Sequence, residues 1–309
     1  MLKKHIVLTL AVLLSSFGCQ ATQDFGVGSA LNSSTPAAPI VSGDPYTAAP
    51  RSFLSDSMVQ SHYSKLGSRY DELWSYEEDF AAELVSDIQN ALKLVKGDAV
   101  ADLGGGTGIW AKKLADVRGE TLVFCVDPVE AMITCATQKK GIVAHCQSVL
   151  PFLQGLEKGE ITKFLAKASI HHFDNREEVI KEIYKKLPKG GRFLIITSLG
   201  KSSGPSKSLP LPQKVKDYLK GQSADFNALL IEECKRANFK VSFEEKHYPS
   251  FVSKETWFNM LRGRYMSPLS HFTDADIEEG VKELDAKLPA APLQIYGNYF
   301  FIILEKQDD

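Results

Sequence analysis

Apolar runs and amphipathic helical patterns alternate along most of the chain. Runs suited to buried strands begin at Ala99 and cover residues 121–127, 142–146 and 192–198. Apolar residues between the runs recur at helical spacing, and the clearest case is 77–95, where five apolar side chains share one face. This alternation predicts an α/β fold, with a mostly parallel sheet and helices on both of its faces.

The last two predicted strands, 240–247 and 296–305, are separated by a long insertion. The segment between them is much longer than a hairpin turn requires, and it contains an amphipathic helix over 274–288. Insertions at the loop ends of α/β sheets commonly build substrate pockets. We therefore expect residues of about 250–292 to form a helical cap on the substrate side.

A glycine-rich turn follows the first predicted strand and leads into a helical pattern. The strand runs to Asp102, and Gly104, Gly106 and Gly108 follow at alternate positions. Such a turn presents backbone N–H groups and a helix N-terminus to a bound nucleotide, and glycine permits close approach of the ligand. Ile109 stands where the dinucleotide fingerprint has its third glycine. The acid suits a cationic or amino-acid ligand better than a pyrophosphate.

Asp127 ends the next predicted strand and is the second candidate acid. It follows the glycines by about 20 positions, where a carboxylate can accept hydrogen bonds from both hydroxyls of a ribose. Aspartate is also a common helix N-cap, and one residue can serve both purposes. For the glycines taken alone, a tight turn without a ligand is the alternative.

These residues, together with two later segments, resemble the class I S-adenosylmethionine (SAM) dependent methyltransferases. The later segments are 161–174, which ends in His-His-Phe-Asp, and the Pro-Lys-Gly-Gly turn at 188–191. The resemblance covers about residues 51–306 and implies a Rossmann-like sheet of seven strands, with the last two forming an antiparallel pair at its edge. It also implies SAM as the cofactor and a small molecule as the substrate.

The resemblance assigns cofactor contacts residue by residue. They are Asp102, Gly104, Gly106, Gly108, Asp127, Pro128, Met132, Gln147 and Tyr70. It implies that Asp127 binds the ribose and that the residues after it flank the adenine. Cys146 and Gln147 match an aspartate and a small residue of the family, so the Gln147 amide is the candidate for the base. Tyr70 belongs to a Tyr-Asp segment that resembles a lid over the cofactor, with ordinary helix packing as the alternative.

His171 and His172 are the candidate catalytic residues. They match the His-His-Phe end of the family's fourth strand, at the carboxyl end of the sheet where open α/β folds bind ligands. A neutral imidazole there can take a proton from a substrate hydroxyl or amine. The alternative is a structural pair, with one ring bonded to the backbone and the other on the cofactor pocket, because methyl transfer can depend mainly on alignment.

The insertion supplies the candidate substrate-binding residues. Arg262, Arg264 and Tyr265 lie within four positions, and apolar residues that can anchor the segment precede them. Guanidinium groups hold carboxylates by charge-assisted hydrogen bonds, so these side chains predict an anionic group on the substrate. A surface cluster of ion pairs is the alternative interpretation.

Composition and charge narrow the possible partners. The 309 residues are 44% hydrophobic, which is enough for one large core, and the net charge of −2 gives no support to a nucleic-acid partner. The five cysteines are odd in number and match no zinc spacing, so we expect neither a metal site nor a disulfide framework. The oligomeric state does not follow from the sequence.

The first 50 residues differ in kind from the rest. Two lysines precede an apolar run over 6–14, as in a secretory signal peptide, and predict a signal-like segment over 1–21. Residues 22–50 are rich in Ser, Thr, Ala, Pro and Gly and predict a disordered linker before the 51–309 domain. We expect an exported, membrane-anchored or organelle-targeted protein that contacts a membrane only through this signal or anchor. A cytoplasmic location is the alternative, because SAM is made inside cells.

The sequence thus predicts an enzyme that transfers a methyl group from SAM to an O, N or S atom of a small molecule. Two other classes stay open. A non-catalytic SAM-binding or regulatory protein is compatible with Thr162 and Cys146, which replace acids of the family pattern, and with the export-like N-terminus. A nucleotide-dependent oxidoreductase is less favoured because Ile109 replaces the third glycine.

Overall fold

The chain folds around a twisted α/β sheet, as shown by a computed structural model that describes residues 56–74, 78–118, 121–198, 210–220 and 226–308. The predicted signal-like segment 1–21 and linker 22–50 lie outside the described residues. Within the described part of the chain, no helix combines the length and the apolar character that crossing a membrane would require.

The described sheet contains seven strands in the order β3-β2-β1-β4-β5-β7-β6. Their bounds are β1 Ala99–Leu103, β2 Leu122–Asp127, β3 Ile142–Cys146, β4 Lys163–Lys167, β5 Arg192–Ser198, β6 Lys240–Val252 and β7 Leu293–Glu305. The first five strands are parallel, and β7 runs antiparallel to both β5 and β6. The Rossmann-like α/β fold and its antiparallel edge pair are confirmed.

The order of the strands places a switch point between β1 and β4. From β1 the chain moves outward to β2 and β3, then crosses back to pair β4 with the other side of β1. The loops that follow β1 and β4 therefore leave in opposite directions and open a crevice at the carboxyl edge. Ligands of open α/β sheets bind in this crevice.

Helices cover both faces of the sheet and one of its ends. Their bounds are α1 Asp56–Leu66, α2 Tyr70–Leu73, α3 Glu78–Leu92, α4 Ile109–Arg118, α5 Glu130–Thr137, α6 Val149–Gln154, α7 Arg176–Lys186, α8 Gln213–Lys220, α9 Phe226–Arg236, α10 Lys254–Arg262 and α11 Asp274–Lys287. Short 3-10 turns lie at Gly67–Arg69, Ile170–His172 and Ser267–His271.

Alternation along β1 explains why both faces of the sheet are buried. Ala101 and Leu103 belong to the core cluster on one face, whereas Val100 belongs to the cluster on the other. Successive side chains of a strand point to opposite faces, so a strand covered on both sides needs an uninterrupted apolar run. The first core contains residues of α6, α7 and α9, and the second contains residues of α3 and α4.

Residues 253–292, the cap segment, form a third apolar cluster with the N-terminal helices. Trp257 and Leu261 of α10 are fully buried in a cluster that also contains Leu66 of α1 and Leu73 of α2. The predicted helix of this segment is present as α11, and it begins with the capping box between Thr273 and Asp276 that its sequence predicts.

Two boundaries differ from the sequence prediction for local reasons. The helix predicted over 77–95 ends at Leu92, because Lys93 adopts a positive φ of 50°. Strands β6 and β7 extend further than predicted and stay paired from Tyr248 opposite Gly297 to Val252 opposite Leu293. This extension runs past the end of β5, so the pair continues as a two-stranded ribbon.

Candidate active site

A cavity of about 460 Å³ opens at the carboxyl ends of β1, β2 and β4, beside the switch point. Three charged side chains line it from the ends of these strands: Asp102, Asp127 and Lys167. Aromatic side chains form much of the remaining wall, namely Tyr63, Tyr70, Trp74, Trp110, Phe173 and Tyr299. A few charges in an aromatic enclosure are typical of a small-molecule site.

The three predicted glycines of the turn have different surroundings. A Cβ on Gly104 would lie 2.5 Å from that of Ser169, so only glycine lets β1 and β4 approach here. Gly106 has a φ of +58° and lines the cavity, and a Cβ there would meet no atom within 4 Å. A Cβ on Gly108 would lie 2.8 Å from Ile142 Cδ1. Gly104 and Gly106 line the cavity, whereas Gly108 does not and serves the packing of α4.

Asp127 is held in place by the turn itself. Its Oδ2 accepts a hydrogen bond from the Gly106 N–H over 3.0 Å, and its Oδ1 accepts one from the Val129 N–H over 2.9 Å. Burial raises the pKa of this carboxyl, and the two N–H donors oppose the shift. The N-cap of α5 is Val129, so Asp127 does not fill that position. Its oriented oxygens are available to ribose hydroxyls.

Asp102 lies at the end of β1 and is only 2% exposed. Within the described residues, its Oδ2 has no hydrogen-bond partner, although the residue lines the cavity. Burial raises the pKa of this carboxyl to about 7; the charge of Asp127 adds to the shift, whereas the charge of Lys167 and a hydrogen bond from the Ala111 backbone oppose it. A buried acceptor without a donor is costly, so Asp102 is expected to lower the stability of the ligand-free protein.

Lys167 lines the same cavity and was missed by the sequence analysis. Its Nζ lies 4.7 Å from the ring centre of Trp110 and 5.1 Å from that of Tyr299. Burial lowers the pKa of the amine to about 8, and the Asp102 carboxylate opposes that shift. The signal available in the sequence was a single lysine at the carboxyl end of the apolar run that forms β4.

An apolar part of the cavity lies beside Asp127. Pro128, Val129 and Met132, the candidates for flanking an adenine, line this part together with Val149 at the start of α6. Gln147 is not among the lining residues: its backbone N–H donates to the Asp127 carbonyl over 3.0 Å. The wall at the predicted position of the Gln147 amide is formed by 148–151 instead.

The N-terminal helices α1 and α2, here called the lid (residues 56–73), cover the cavity. Tyr70 lines the wall as predicted, and Tyr63 of α1 lines it nearby. Asp71 accepts hydrogen bonds from Thr107 Oγ1 in the glycine turn and from Lys139 Nζ, the latter over 2.6 Å. These hydrogen bonds join the lid to the glycine turn, which lines the cavity.

The predicted catalytic histidines are adjacent but not equivalent. His172 lines the cavity and packs edge-on against Tyr63, with 6.0 Å between ring centres. His171 does not line the cavity and packs beside Phe226 of α9. Burial lowers the pKa of His171 to about 4 and that of His172 to about 2, so both rings are neutral at physiological pH. Only His172 is placed to meet a substrate.

The predicted substrate-binding residues do not reach the cavity. Arg262 makes a bidentate ion pair with Glu278 of α11, over 2.7 and 3.1 Å. Arg264 donates to Asp274 Oδ1 over 2.6 Å, and Tyr265 is buried in the cap segment. The geometry therefore corrects the expectation that the three bind an anionic substrate and agrees with the alternative of ion pairs, because acids of α11 neutralise both guanidinium groups.

Comparison with known proteins matches residues 101–195, from within β1 to within β5, to the methyltransferase domain family model. This segment contains Asp102, the glycine turn, Asp127, Lys167 and the histidines. A search of curated proteins found no match to the chain.

Two solved structures share the fold. A putative methyltransferase from an antibiotic biosynthesis pathway of Anabaena variabilis is 17% identical, with a TM-score of 0.55, and the match covers 72% of this chain and 96% of that one. The (4+2)-cyclase SpnF is 14% identical, with a TM-score of 0.57, and the match covers 85% of this chain and 100% of that one. Residues 101–195 therefore match the methyltransferase domain model, and the chain has the Rossmann-like fold of these solved structures.

Proposed function

We propose that the chain is an enzyme that transfers a methyl group from SAM to an O, N or S atom of a small molecule. The observation that carries this proposal is the cavity beside the matched methyltransferase domain segment, where Gly106, Asp127 and Asp102 line one space. The cavity volume of about 460 Å³ suits a small ligand rather than a macromolecular segment.

The residues present fit SAM from one end of the molecule to the other. Met132 and Val149 give the adenine an apolar surface, and Asp127 offers oriented carboxylate oxygens to the ribose. Asp102, which lines the cavity at the end of β1, supplies a carboxyl group on the side proposed for the ammonium group. Gly106 leaves room at the turn because a Cβ there would point into open space.

The chain's contribution to the reaction is mainly alignment and exclusion of water. When bound, SAM supplies an electrophilic methyl group and carries its own leaving group. The glycine turn and Asp127 fix the nucleoside end, and the lid encloses the cavity with Tyr63 and Tyr70, next to Trp74. Alignment of an acceptor atom with the methyl carbon in such an enclosure supplies much of the rate.

His172 is the residue that can take a proton from the acceptor. Its imidazole is neutral, since its pKa is lowered by burial, and it lines the cavity beside Tyr63. A hydroxyl, primary or secondary amine, or thiol acceptor releases a proton on methylation, and the imidazole can receive it. His171 supports the ring of His172, with 4.0 Å between the ring centres, and is a positioning residue.

A non-catalytic SAM-binding or regulatory protein is the second candidate. The fold does not determine the reaction, and one similar structure is described as a cyclase. The two candidates differ in one observable: only the enzyme transfers the methyl group.

The test is an assay with SAM that carries an isotopically labelled methyl group, on a panel of small hydroxyl, amine and thiol compounds. We expect labelled product with at least one acceptor class, and S-adenosylhomocysteine (SAH) in equal amount. The Gly106→Val variant should form neither, because its side chain fills the cofactor space. If SAM and compounds of the panel bind but no labelled methyl group is transferred, the result would favour the regulatory protein.

A further inference from the structure

Tyr299 of β7 shares a face of the sheet with Lys167 of β4. Phe301, two positions further along β7, pairs with Ile196 of β5, which in turn pairs with Lys167. Side chains two positions apart on a strand share a face, and paired residues of neighbouring strands lie side by side on it. Tyr299 therefore projects from the same side of the sheet as Lys167, and both residues line the cavity.

Among the strands that line the cavity, β7 is the furthest from the acid proposed for the ribose. Asp127 ends β2, and the strand order β2-β1-β4-β5-β7 places β7 four strands away from it. At the usual spacing of neighbouring strands, the two backbones are separated by about 19 Å. The proposed function places the nucleoside of SAM at Asp127 and the glycine turn, so the wall formed by Tyr299 is left for the methyl acceptor.

Tyr299 is half-buried, and its hydroxyl makes no hydrogen bond within the described part of the chain. The side chain instead contacts the rings of Phe80 and Tyr248 and the Nζ of Lys167. By contrast, the hydroxyl of the neighbouring Tyr248 donates to Asp87 Oδ2 over 2.6 Å. A phenol hydroxyl that lines a cavity without such a partner is available to a ligand.

Charge restricts what the Tyr299 hydroxyl can bind. Burial raises the pKa of this phenol to about 12, so the hydroxyl keeps its proton at physiological pH and can donate a hydrogen bond. The Lys167 ammonium lies 5.1 Å from the ring centre, and Asp102 and Asp127 end strands that are further from β7 than β4 is. A cationic group would therefore meet a like charge here, whereas an uncharged or anionic group with a lone pair would not.

Aromatic side chains surround this end of the cavity. The ring centre of Trp110 lies 4.7 Å from the same Lys167 Nζ that Tyr299 contacts. Burial raises the pKa of the Tyr70 phenol, and Tyr299 is among the nearby groups that add to this shift, so this side chain of the lid is also close. Rings pack favourably against other rings, edge to face or offset. The surroundings of Tyr299 therefore suit a planar aryl body.

We propose that Tyr299 is a specificity-determining residue for the methyl acceptor, and that it donates a hydrogen bond to an oxygen beside the accepting atom of an uncharged or anionic aryl compound. The inference rests on the proposed function and narrows its acceptor from any small molecule to this class. Tyr299 orients the acceptor, and the proton released on methylation still passes to His172.

Three aryl probes of similar size test the proposal in calorimetric titrations of the full chain saturated with SAH. Each probe has a phenol hydroxyl, and they differ in the neighbouring substituent. In 2-hydroxyacetophenone the substituent has a carbonyl oxygen, in 2-ethylphenol it has no polar atom, and in 2-hydroxybenzylamine it is an ammonium group. The wild type should bind 2-hydroxyacetophenone about tenfold more tightly than either of the other probes, because only its carbonyl accepts the Tyr299 hydrogen bond.

Tyr299→Phe removes the hydroxyl and keeps the ring that packs against Phe80 and Lys167. Its affinity for 2-hydroxyacetophenone should fall to that for 2-ethylphenol, whereas its affinities for 2-ethylphenol and for SAH should equal those of the wild type. Tyr296→Phe is the matched control. It removes a hydroxyl from the same strand at a position that does not line the cavity, and it should leave all four affinities unchanged.

Several results would overturn the proposal. A loss of SAH affinity in Tyr299→Phe would place Tyr299 on the cofactor side, and an equal change for 2-hydroxyacetophenone and 2-ethylphenol would show that no hydrogen bond is involved. Tightest binding of 2-hydroxybenzylamine by the wild type, or binding of SAH but of none of the three probes, would show that the acceptor belongs to another class. Failure of the wild type to bind SAH would instead overturn the proposed function, and this inference with it.

Discussion

At the scale of the residue, the two buried acids of the cavity differ in their hydrogen-bond partners. Two backbone N–H groups stabilise the charge of Asp127, whereas Asp102 Oδ2 lacks a partner within the described residues. A buried acceptor without a donor lowers the stability of the ligand-free protein, and ligand binding compensates for this loss of stability. Asp102 is therefore expected to limit stability while it serves binding.

Removing the charge of Asp102 should stabilise the ligand-free protein in a pH-dependent way. Its folded-state pKa of about 7 lies above the ordinary value of 3.8, so the unfolded chain ionises first and stability falls as the pH rises between these values. Asp102→Asn should therefore gain more in Tm over the wild type at pH 8 than at pH 4.5, by roughly 2–4 °C for each kcal/mol recovered.

The control for this comparison is Asp79→Asn, which removes an exposed carboxylate at the start of α3. Its Tm difference from the wild type should stay nearly constant over the same pH range. A Tm of Asp102→Asn that falls below the wild type at pH 8 would show that the carboxylate is stabilised by the ligand-free fold.

At the scale of the element, one side chain of the lid, Asp71, joins it to the glycine turn. Asp71 receives hydrogen bonds from Thr107 of the glycine turn and from Lys139, which follows the end of α5. Hydrogen bonds between distant segments couple the order of the lid to the order of the turn. The lid should therefore open more often when this residue is removed.

Asp71→Ala should speed amide hydrogen exchange in α1 and α2 and raise the rate at which SAH dissociates several-fold, because the closed lid loses two hydrogen bonds. Glu72→Ala, at the exposed neighbouring position of the same helix, is the matched control. If both variants behave as the wild type does, the Asp71 contacts do not hold the lid.

The cap segment contains the ion pairs that the sequence had suggested for the substrate. Arg262→Ala should lower Tm slightly and leave both acceptor KM and SAH affinity unchanged, because the guanidinium faces Glu278 on the surface. Glu278→Gln should give the same small loss, since it breaks the same pair. A tenfold rise in acceptor KM for Arg262→Ala alone would restore the substrate role.

Local sequence predicts only the parts of this site that adjacent residues build. The glycine turn and Asp127 were found because strand ends and glycines carry their own spacing. Two contacts were not predicted, that of Lys167 with Tyr299 and that of Arg262 with Glu278. Each depends on how separate segments of the chain pack against one another. The sequence alone does not show whether an arginine pairs with a substrate or with an acidic side chain of a neighbouring helix.

At the scale of the whole molecule, the cavity lies between a rigid sheet edge and a mainly helical cover. The lid and the cap segment share one apolar cluster, with Leu73 of α2 packed among residues of α10 such as Leu261. A Cβ on Gly263 would lie 2.5 Å from Leu73 Cδ2, so the two parts of the cover approach closely. Substrate selection is therefore expected to depend on the lid as well as on the cap segment.

The N-terminal 50 residues are expected to be dispensable for folding, because their sequence carries no periodic apolar face for the core. A chain that starts at Arg51 should have the same Tm and SAH affinity as one that starts at Thr22, after the predicted signal. Mass spectrometry of the native N-terminus would show whether the predicted cleavage occurs. A clear drop in Tm on truncation would show that residues 22–50 stabilise the domain.

The most direct test of the account is a calorimetric titration of SAH into the wild type, Asp127→Asn and Asp127→Ala. We predict one SAH per chain for the wild type and an affinity weaker by about 1–3 kcal/mol for Asp127→Ala, since the ribose hydroxyls lose a charged acceptor. Asp127→Asn, which keeps one oxygen, should lie between them. Absence of SAH binding by the wild type, or binding of a nicotinamide dinucleotide in its place, would contradict the account.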